Sequence, residues 1–299
     1  MNTRQRRTLL GLTAVATGMG LFTTAAQAAV PPPEAPQAPV AGYTIVSRAG
    51  VHNSSRTHSV LARCPAGKVA LGGGVRIVGG QNRVLLRGSY PQRNGWVAVA
   101  QELVPRDPGS GMRAAWHVVA HAVCAKAPAG LTYEARTSAS TSGPWKTAQV
   151  FCPAGKRLLA AGGRMNGADF KAGLNSVAAD SRLRSATVRG GEATPTSALW
   201  SVTAYGVCTG PLGQTLRESV WQAVSGAAQS GTAFAACPRG TRAFGAGVRL
   251  SGNAGVLNRL VPVELRSTVR PPGARTTVSE LGSGLAATWH LKAQVICAP

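Results

Sequence analysis

Short runs in which hydrophobic and polar residues alternate recur along the chain, and this period of two indicates β-strands rather than helices. The clearest runs end at a cysteine: Trp116 to Cys124, Trp200 to Cys208 and Trp289 to Cys297. In each run the Trp, an Ala and the Cys fall on one face of the strand. We therefore predict that this face lies in the core and that the variable polar residues of the other face point to solvent.

One pattern occurs three times along the chain. Each copy begins with a Cys-Pro-x-Gly segment, at Cys64, Cys152 and Cys237. A cluster of small residues follows, and an arginine stands twelve residues after each of these cysteines, at Arg76, Arg164 and Arg249. The opening cysteines are 88 and 85 residues apart. This spacing predicts three similar structural units.

The small residues that recur in the three copies predict turns and close backbone contacts. Cys-Pro-x-Gly predicts a turn, because Pro fixes one φ and Gly permits a positive φ two residues later. Clusters such as Gly72 to Gly74 predict a strand that another backbone approaches closely, or a bulge. Alternating stretches at Arg83 to Tyr90 and Gly95 to Leu103 add further strands, so we expect four or five strands per unit.

These patterns predict an all-β fold of three tandem pseudo-symmetric units with little or no helix. The units span residues 43–130, 131–213 and 214–299. The segments that join them, 127–130 and 210–213, are too short to be free linkers. We therefore predict that 43–299 forms a single three-unit β domain.

The first 28 residues predict a signal peptide for export. Three arginines precede a short apolar stretch from Leu9 to Phe22, and Ala26-Gln27-Ala28 has the small-x-small form of a cleavage site. This stretch is too short for a transmembrane segment. Residues 29–42 contain five prolines and predict an extended spacer. We expect a secreted, extracellular protein, and both the ordinary and the twin-arginine export route stay open.

Six cysteines in an exported chain favour disulfides. Two pairings respect the threefold pattern. One lies within units and joins Cys64 to Cys124, Cys152 to Cys208 and Cys237 to Cys297. The other lies between units and joins Cys124 to Cys152, Cys208 to Cys237 and Cys64 to Cys297. We prefer the first, which closes loops of about 60 residues and stabilises by about 4 kcal/mol per bond.

The chain is strongly basic, with 32 Lys and Arg against 10 Asp and Glu and a formal net charge of +22. The three units carry +9, +5 and +6, so the charge is spread over the folded part. In an exported protein this charge favours anionic envelope polymers, acidic polysaccharide or lipid headgroups, and nucleic acid only without sequence specificity. The alternative is that it serves solubility alone.

Three tandem β units with Cys-Pro-x-Gly followed by Gly-rich strands resemble vitelline membrane outer layer protein I. The resemblance covers residues 43–299. It implies three Greek-key sheets that form the faces of a β-prism about a pseudo-threefold axis. The units here are longer than in that family, and the Trp-rich segment before each opening cysteine survives only at Trp145 and Trp221. The resemblance implies no binding residues.

Several catalytic and metal motifs are weak or missing. His117 and His121 have the spacing of two helical zinc ligands, but on a strand they lie about 13 Å apart. The Gly clusters lack the Gly-Lys-Ser/Thr ending of a phosphate-binding loop, and the chain has no Gly-x-Ser-x-Gly. Ten acidic residues are also few for an enzyme that uses carboxylate pairs. We therefore expect no catalytic residues, no metal and no cofactor.

The sequence favours a non-enzymatic binding or structural protein of the cell exterior that engages anionic glycopolymer or polysaccharide. Arg76, Arg164 and Arg249 are the candidate binding residues, because threefold symmetry would display them alike and arginine forms bidentate contacts with phosphate or carboxylate. Their alternative role is structural, in strand pairing or in capping a carbonyl. The alternative functions are a carbohydrate-active enzyme or protease inhibitor with its site in loops, or a protein-recognition module. The oligomeric state stays open.

Overall fold

The computed structural model describes residues 38–80, 82–92, 94–103, 114–225 and 229–299. The predicted signal peptide, 1–28, and residues 29–37 of the predicted spacer lie outside this part. Residues 37–299 form one compact unit. None of the helices in the described residues has the length and apolar character needed to cross a membrane.

The regular secondary structure of the described residues is almost entirely β, with one short helix. In chain order the elements are β1 (Thr44–Ala49), β2 (Thr57–Arg63), β3 (Val69–Val78), β4 (Val84–Gln92), β5 (Gly95–Glu102), β6 (His117–Ala125), β7 (Thr132–Thr137), β8 (Trp145–Phe151), β9 (Arg157–Gly167), β10 (Ala172–Ala179), β11 (Ser185–Glu192), β12 (Trp200–Thr209), β13 (Thr215–Glu218), β14 (Gln222–Val224), β15 (Ser230–Ala236), β16 (Arg242–Ser251), α1 (Ala254–Leu257), β17 (Leu260–Val269), β18 (Pro272–Glu280) and β19 (Trp289–Ala298). The predicted all-β class is confirmed.

The strands form three antiparallel sheets. Sheet I has the order β1-β6-β3-β17-β18-β15, and sheet II has the order β2-β5-β4-β9-β12-β7. Sheet III has the order β13-β19-β16-β10-β11-β8, with β14 also paired to β19. Within the described residues, one core cluster gathers buried side chains from all three sheets.

Each predicted unit divides its strands between two sheets. In the first unit β1, β3 and β6 belong to sheet I, whereas β2, β4 and β5 belong to sheet II. The second and third units divide in the same way. Every sheet therefore joins three or more strands of one unit to three strands of another. We call the strand pairs that join two units seams, and they are β3–β17, β9–β4 and β16–β10.

The expected four or five strands per unit is an underestimate, because the described part contains at least six strands in each. The expectation missed the leading edge strands β1, β7 and β13. These strands alternate little, because edge strands such as Thr44–Ala49 are mostly exposed or half-buried on both faces.

The predicted core face of the closing strands is confirmed. Trp116, Trp200 and Trp289 are fully buried, together with the Ala and Cys residues of the same face. The prediction that the other face points to solvent is wrong in several places, since His121, Thr203 and Gln294 are also buried. Neighbouring strands flank each closing strand on both sides, and these polar groups form hydrogen bonds to other strands of the same sheet.

The glycine clusters serve both predicted purposes. The pairing shifts by one residue in β3, β9 and β16, and the extra residues are Leu71, Leu159 and Phe244. These three side chains pack together in a second buried cluster. A Cβ on Gly72 would overlap the carbonyl oxygen of Phe244, so a glycine is needed where the backbones meet.

Three disulfides join each opening cysteine to the closing cysteine of the same unit. The pairs are Cys64–Cys124, Cys152–Cys208 and Cys237–Cys297, with Cα–Cα distances of 5.6, 5.7 and 5.8 Å. The pairing is the one within units. Each bond fixes the turn before β3, β9 or β16 to the end of the neighbouring closing strand.

Candidate anion-binding site

The three predicted binding arginines lie on three different sheets and do not form one site. Each arginine lies on a strand that forms a seam. Arg76 pairs with Glu264 and Arg164 with Gly88 across their seams. Arg249 follows Val248, which pairs with Val177 across the third seam. All three side chains are exposed.

Their surroundings differ. Arg164 stacks over the ring of Tyr90 at 5.7 Å, and Arg249 forms an ion pair with Glu218 at 3.6 Å. Arg76 forms no ion pair with any carboxylate of the described residues. The repeated sequence position therefore carries three different electrostatic environments.

A glycine stands two residues before each arginine, and we call this position, which lacks a side chain, the gap of the sheet. In sheet II the gap at Gly162 is covered by Tyr90 and Tyr205, whose rings stack at 5.2 Å. In sheet III Gln294 lies opposite Gly247, and its amide bonds to the backbone N–H and carbonyl of Ala179. Neither gap is free to take a ligand without a rearrangement.

In sheet I the corresponding gap remains open. Gly74 pairs with His121 on one side, and the backbone of Arg266 passes it on the other. These two neighbours of Gly74, His121 and Arg266, line a cavity of about 460 Å³ together with residues of β1, β15 and β18. We call it the sheet I pocket.

Basic side chains dominate the polar lining of the sheet I pocket. Arg266, Arg270 and Arg275 line it together with His121 and Ser47. The rest of the lining comprises the apolar residues Ile45, Phe234, Val269 and Pro271 and the hydroxyl residues Ser267 and Thr268. Arginine can only donate hydrogen bonds, so the polar groups of this pocket favour a ligand rich in acceptors.

Glu264 holds two of these arginines in place. Its Oε1 accepts a hydrogen bond from Nε of Arg266 at 2.7 Å, and its Oε2 accepts from Nε of Arg275 at 3.2 Å and from the hydroxyl of Thr277. Burial opposes ionisation of the Glu264 carboxyl, but these hydrogen bonds and charges outweigh it and lower its pKa.

The arginine geometry leaves donors unused. Both contacts to Glu264 use Nε, and within the described residues the terminal nitrogens of Arg266 and Arg275 have no hydrogen-bond partner. Two guanidinium groups are thus oriented by one buried carboxylate while their forked ends remain available for a ligand.

His121, with 9% of its surface exposed, is one of two buried polar residues of the pocket lining, the other being Ser267. Its Nδ1 lies 2.7 Å from Oγ of Ser47, whereas its Nε2 is buried and has no partner in the described part of the chain. Burial, followed by the charge of Arg266, lowers the pKa of His121 to about 4, and Glu264 only partly offsets this. The ring is therefore neutral at neutral pH.

His117 and His121 lie on one strand, as predicted, and contact different partners. His117 lies with its Nδ1 3.0 Å from Nδ1 of His52, while His121 contacts Ser47 on the other part of β6. Within the described residues no group of three or more His, Cys, Asp or Glu side chains is placed to hold a metal ion.

Two further cavities have different charge balances. The outer face of sheet III has a cavity of about 640 Å³ whose lining includes Arg189 and Arg249 but also Asp180 and Glu218. A cavity of about 510 Å³ beside the turn at Cys152 is lined by three basic residues, Lys156, Arg157 and Arg184. Basic side chains therefore line all three cavities. In the sheet I pocket they lie beside the buried side chain of His121.

Sequence reasoning missed the arginines of the sheet I pocket. Arg266, Arg270 and Arg275 fall within ten residues of one another, and this local density was the available signal. It was hidden because the three do not recur in the other units. No protein-family model and no curated protein matches this chain.

Proposed function

We propose that this protein is a secreted, non-enzymatic binding protein of the cell exterior that engages an anionic glycopolymer or polysaccharide through its basic faces. The observation that carries the proposal is the sheet I pocket, where oriented arginines meet beside a buried histidine. Three within-unit disulfides are typical of a protein that works in an oxidising compartment.

The distribution of charge supports the same proposal. Exposed arginines stand beside the seam of every sheet, and each predicted unit has a net positive charge. A repeating polyanion can contact several such faces at once, whereas a small ligand can contact only one. In this proposal the sheet I pocket supplies the specific contact with the polymer. General electrostatic attraction of the polymer comes from exposed arginines such as Arg76, Arg164 and Arg249.

The contact between Ser47 and His121 favours an alternative, a hydrolase with a serine nucleophile. Such a site needs a histidine that accepts a proton near neutral pH and a further group that orients its ring. With a pKa of about 4, His121 is a weak base, and its second nitrogen has no carboxylate partner among the described residues. We therefore favour binding over catalysis.

The proposal is tested by co-sedimentation of the purified, oxidised protein with insoluble cell wall, with and without its attached anionic polymers. We expect binding that requires the polymer and falls as salt rises from about 50 to about 500 mM, because salt screens the charges. The variant with Arg266→Lys and Arg275→Lys keeps the net charge but loses the planar forks, and we expect about tenfold weaker binding. Arg239→Lys, at an exposed position in a turn, is the matched control.

Two results would contradict the proposal. Equal binding to wall stripped of its polymers would show that the polymer is not the ligand. Shortening of the polymer during incubation, abolished by Ser47→Ala, would establish the hydrolase instead.

A further inference from the structure

We infer that the sheet I pocket is a subsite for a single sugar unit that carries an oxyanion, with the oxyanion against Arg266, Arg275 and His121 and the sugar ring against Phe234. This inference rests on the proposed function, because it names the chemical unit of the polymer that the protein engages. A sulfate ester and a carboxylate share the required chemistry.

The oxyanion follows from the donors. The free ends of Arg266 and Arg275 offer forked N–H groups, and the only carboxylate that contacts them in the described residues, Glu264, is already used. An acidic oxygen placed between them would accept several hydrogen bonds at once. Buried Nε2 of His121 lacks a partner, and an acceptor from the ligand would satisfy its N–H.

The sugar ring follows from the size and the apolar wall. At about 460 Å³ the pocket is much larger than one oxyanion and reaches the range of small-molecule sites. Phe234 pairs directly with Arg275 across the sheet and keeps 38% of its surface exposed. Ile45, Val269 and Pro271 extend this apolar surface. A sugar with an anionic group at one end and its ring at the other matches the basic part and the apolar part of the pocket.

Occupation of the pocket changes the proton balance of His121. The charged groups around it are Arg76 from β3, Glu264 and Arg266 from β17, Arg270 from the turn between β17 and β18, and Arg275 from β18, whereas the pocket residue of β1 that contacts it is the uncharged Ser47. In this net positive setting the ring stays neutral. An added anion favours the imidazolium, so binding takes up a proton and becomes tighter as the pH falls.

The inference is tested by NMR titration of the histidine rings of the oxidised protein. The probes are glucose 6-sulfate, inorganic sulfate, glucuronic acid and glucose. A sulfate ester keeps its charge across the range from about pH 5 to about pH 7.5, so a change in affinity reports on the protein. We expect glucose 6-sulfate to shift the His121 signals, to raise its apparent pKa and to bind about tenfold more tightly at pH 5 than at pH 7.5.

Three variants separate the contacts. His121→Asn keeps a group near Ser47 but does not titrate, and we expect it to remove the pH dependence of binding. Arg275→Lys keeps the charge and should weaken glucose 6-sulfate about tenfold. Phe234→Ala should weaken glucose 6-sulfate but leave inorganic sulfate unchanged. The control is Arg239→Lys, which makes the same change at an exposed turn position outside the pocket.

The probes also identify the chemical class of the oxyanion. They distinguish failure of the subsite from failure of the proposed function. Tighter binding of glucuronic acid than of glucose 6-sulfate would assign a carboxylate sugar, and the reverse a sulfate or phosphate ester. If the probes leave His121 unchanged while the wall polymer still binds, this subsite is wrong and the proposed function stands. If the probes bind but the polymer does not, the proposed function fails. Binding of glucose as tightly as of glucose 6-sulfate would overturn the oxyanion assignment.

Discussion

A single buried arginine shows how much one residue can organise. Arg87 lies on β4 and is 4% exposed, and its guanidinium donates to the carbonyls of Gly167, Ala168 and Ala172 and to Asp169. Burial lowers the pKa of Arg87 to about 10, against the opposing effect of Asp169, so the group stays charged. The turn that it holds contains Ala168 and Phe170 at positive φ.

We predict that Arg87→Met destabilises the protein by about 3 kcal/mol, because it leaves buried carbonyls without a donor and removes the support of a strained turn. The measurement is urea unfolding under oxidising conditions. Arg239→Met changes the same residue type at an exposed position and should alter stability by less than about 0.5 kcal/mol. Equal unfolding midpoints for the two variants would refute this role of Arg87.

The alternation of the sequence placed Arg87 inside a predicted strand but did not identify its role. Charged residues are usually exposed, so an arginine within a strand predicts the solvent face. Its partners are about 80 residues away and meet it only across the β4–β9 seam. Sequence could predict the strand, but not the turn that this side chain supports.

At the scale of elements, the glycines of β3 decide how closely the strands approach. Gly74 pairs with the pocket residue His121, and a Cβ on Gly74 would overlap the carbonyl oxygen of Leu265 on β17. Because backbone atoms cannot move aside as a flexible side chain can, the seam between β3 and β17 would have to open.

Gly74→Ala is therefore expected to destabilise the protein by about 2 kcal/mol, measured by urea unfolding. Gly143→Ala is the control, since the nearest atom to its added Cβ is Nζ of Lys146 at 3.8 Å. A Gly74→Ala protein as stable as the control would show that the seam tolerates a side chain.

The glycine clusters illustrate what an element-level pattern can predict. Recurrence in three copies indicated either close backbone approach or a bulge, and both occur within a few residues in β3. The pattern could not tell which strand approaches, because that strand comes from another unit.

At the scale of the whole molecule, every sheet depends on two units. The second unit, 131–213, pairs β9 with β4 of the first unit and β10 with β16 of the third. Its own strands are split between sheets II and III, and their apolar faces pack in a core shared with the other units. The likeness to vitelline membrane outer layer protein I stays a prediction.

We predict that a fragment of residues 131–213 does not fold, even with the Cys152–Cys208 bond formed, because one unit cannot cover its own apolar faces. Circular dichroism and urea titration should show no cooperative transition for the fragment and one cooperative transition for the whole protein. A cooperative transition in the isolated fragment would mean that the units are independent domains.

The sequence by itself determined the strand character, the repeated turns and glycines, and the buried Trp, Ala and Cys positions. These features follow from local periodicity and backbone preferences, which act between residues close in the chain. The preferred cysteine pairing likewise joined residues within one repeat.

Only the tertiary structure decided which side chains line the sheet I pocket. Ser47, His121 and Arg266 come from β1, β6 and β17, and they meet because a strand of the third unit pairs with a strand of the first. The threefold pattern predicted equal sites at Arg76, Arg164 and Arg249. The sheets differ instead, because the side chains beside each central glycine are not repeated: tyrosines cover one gap, a glutamine bonds across the second, and arginines and a histidine leave the third open.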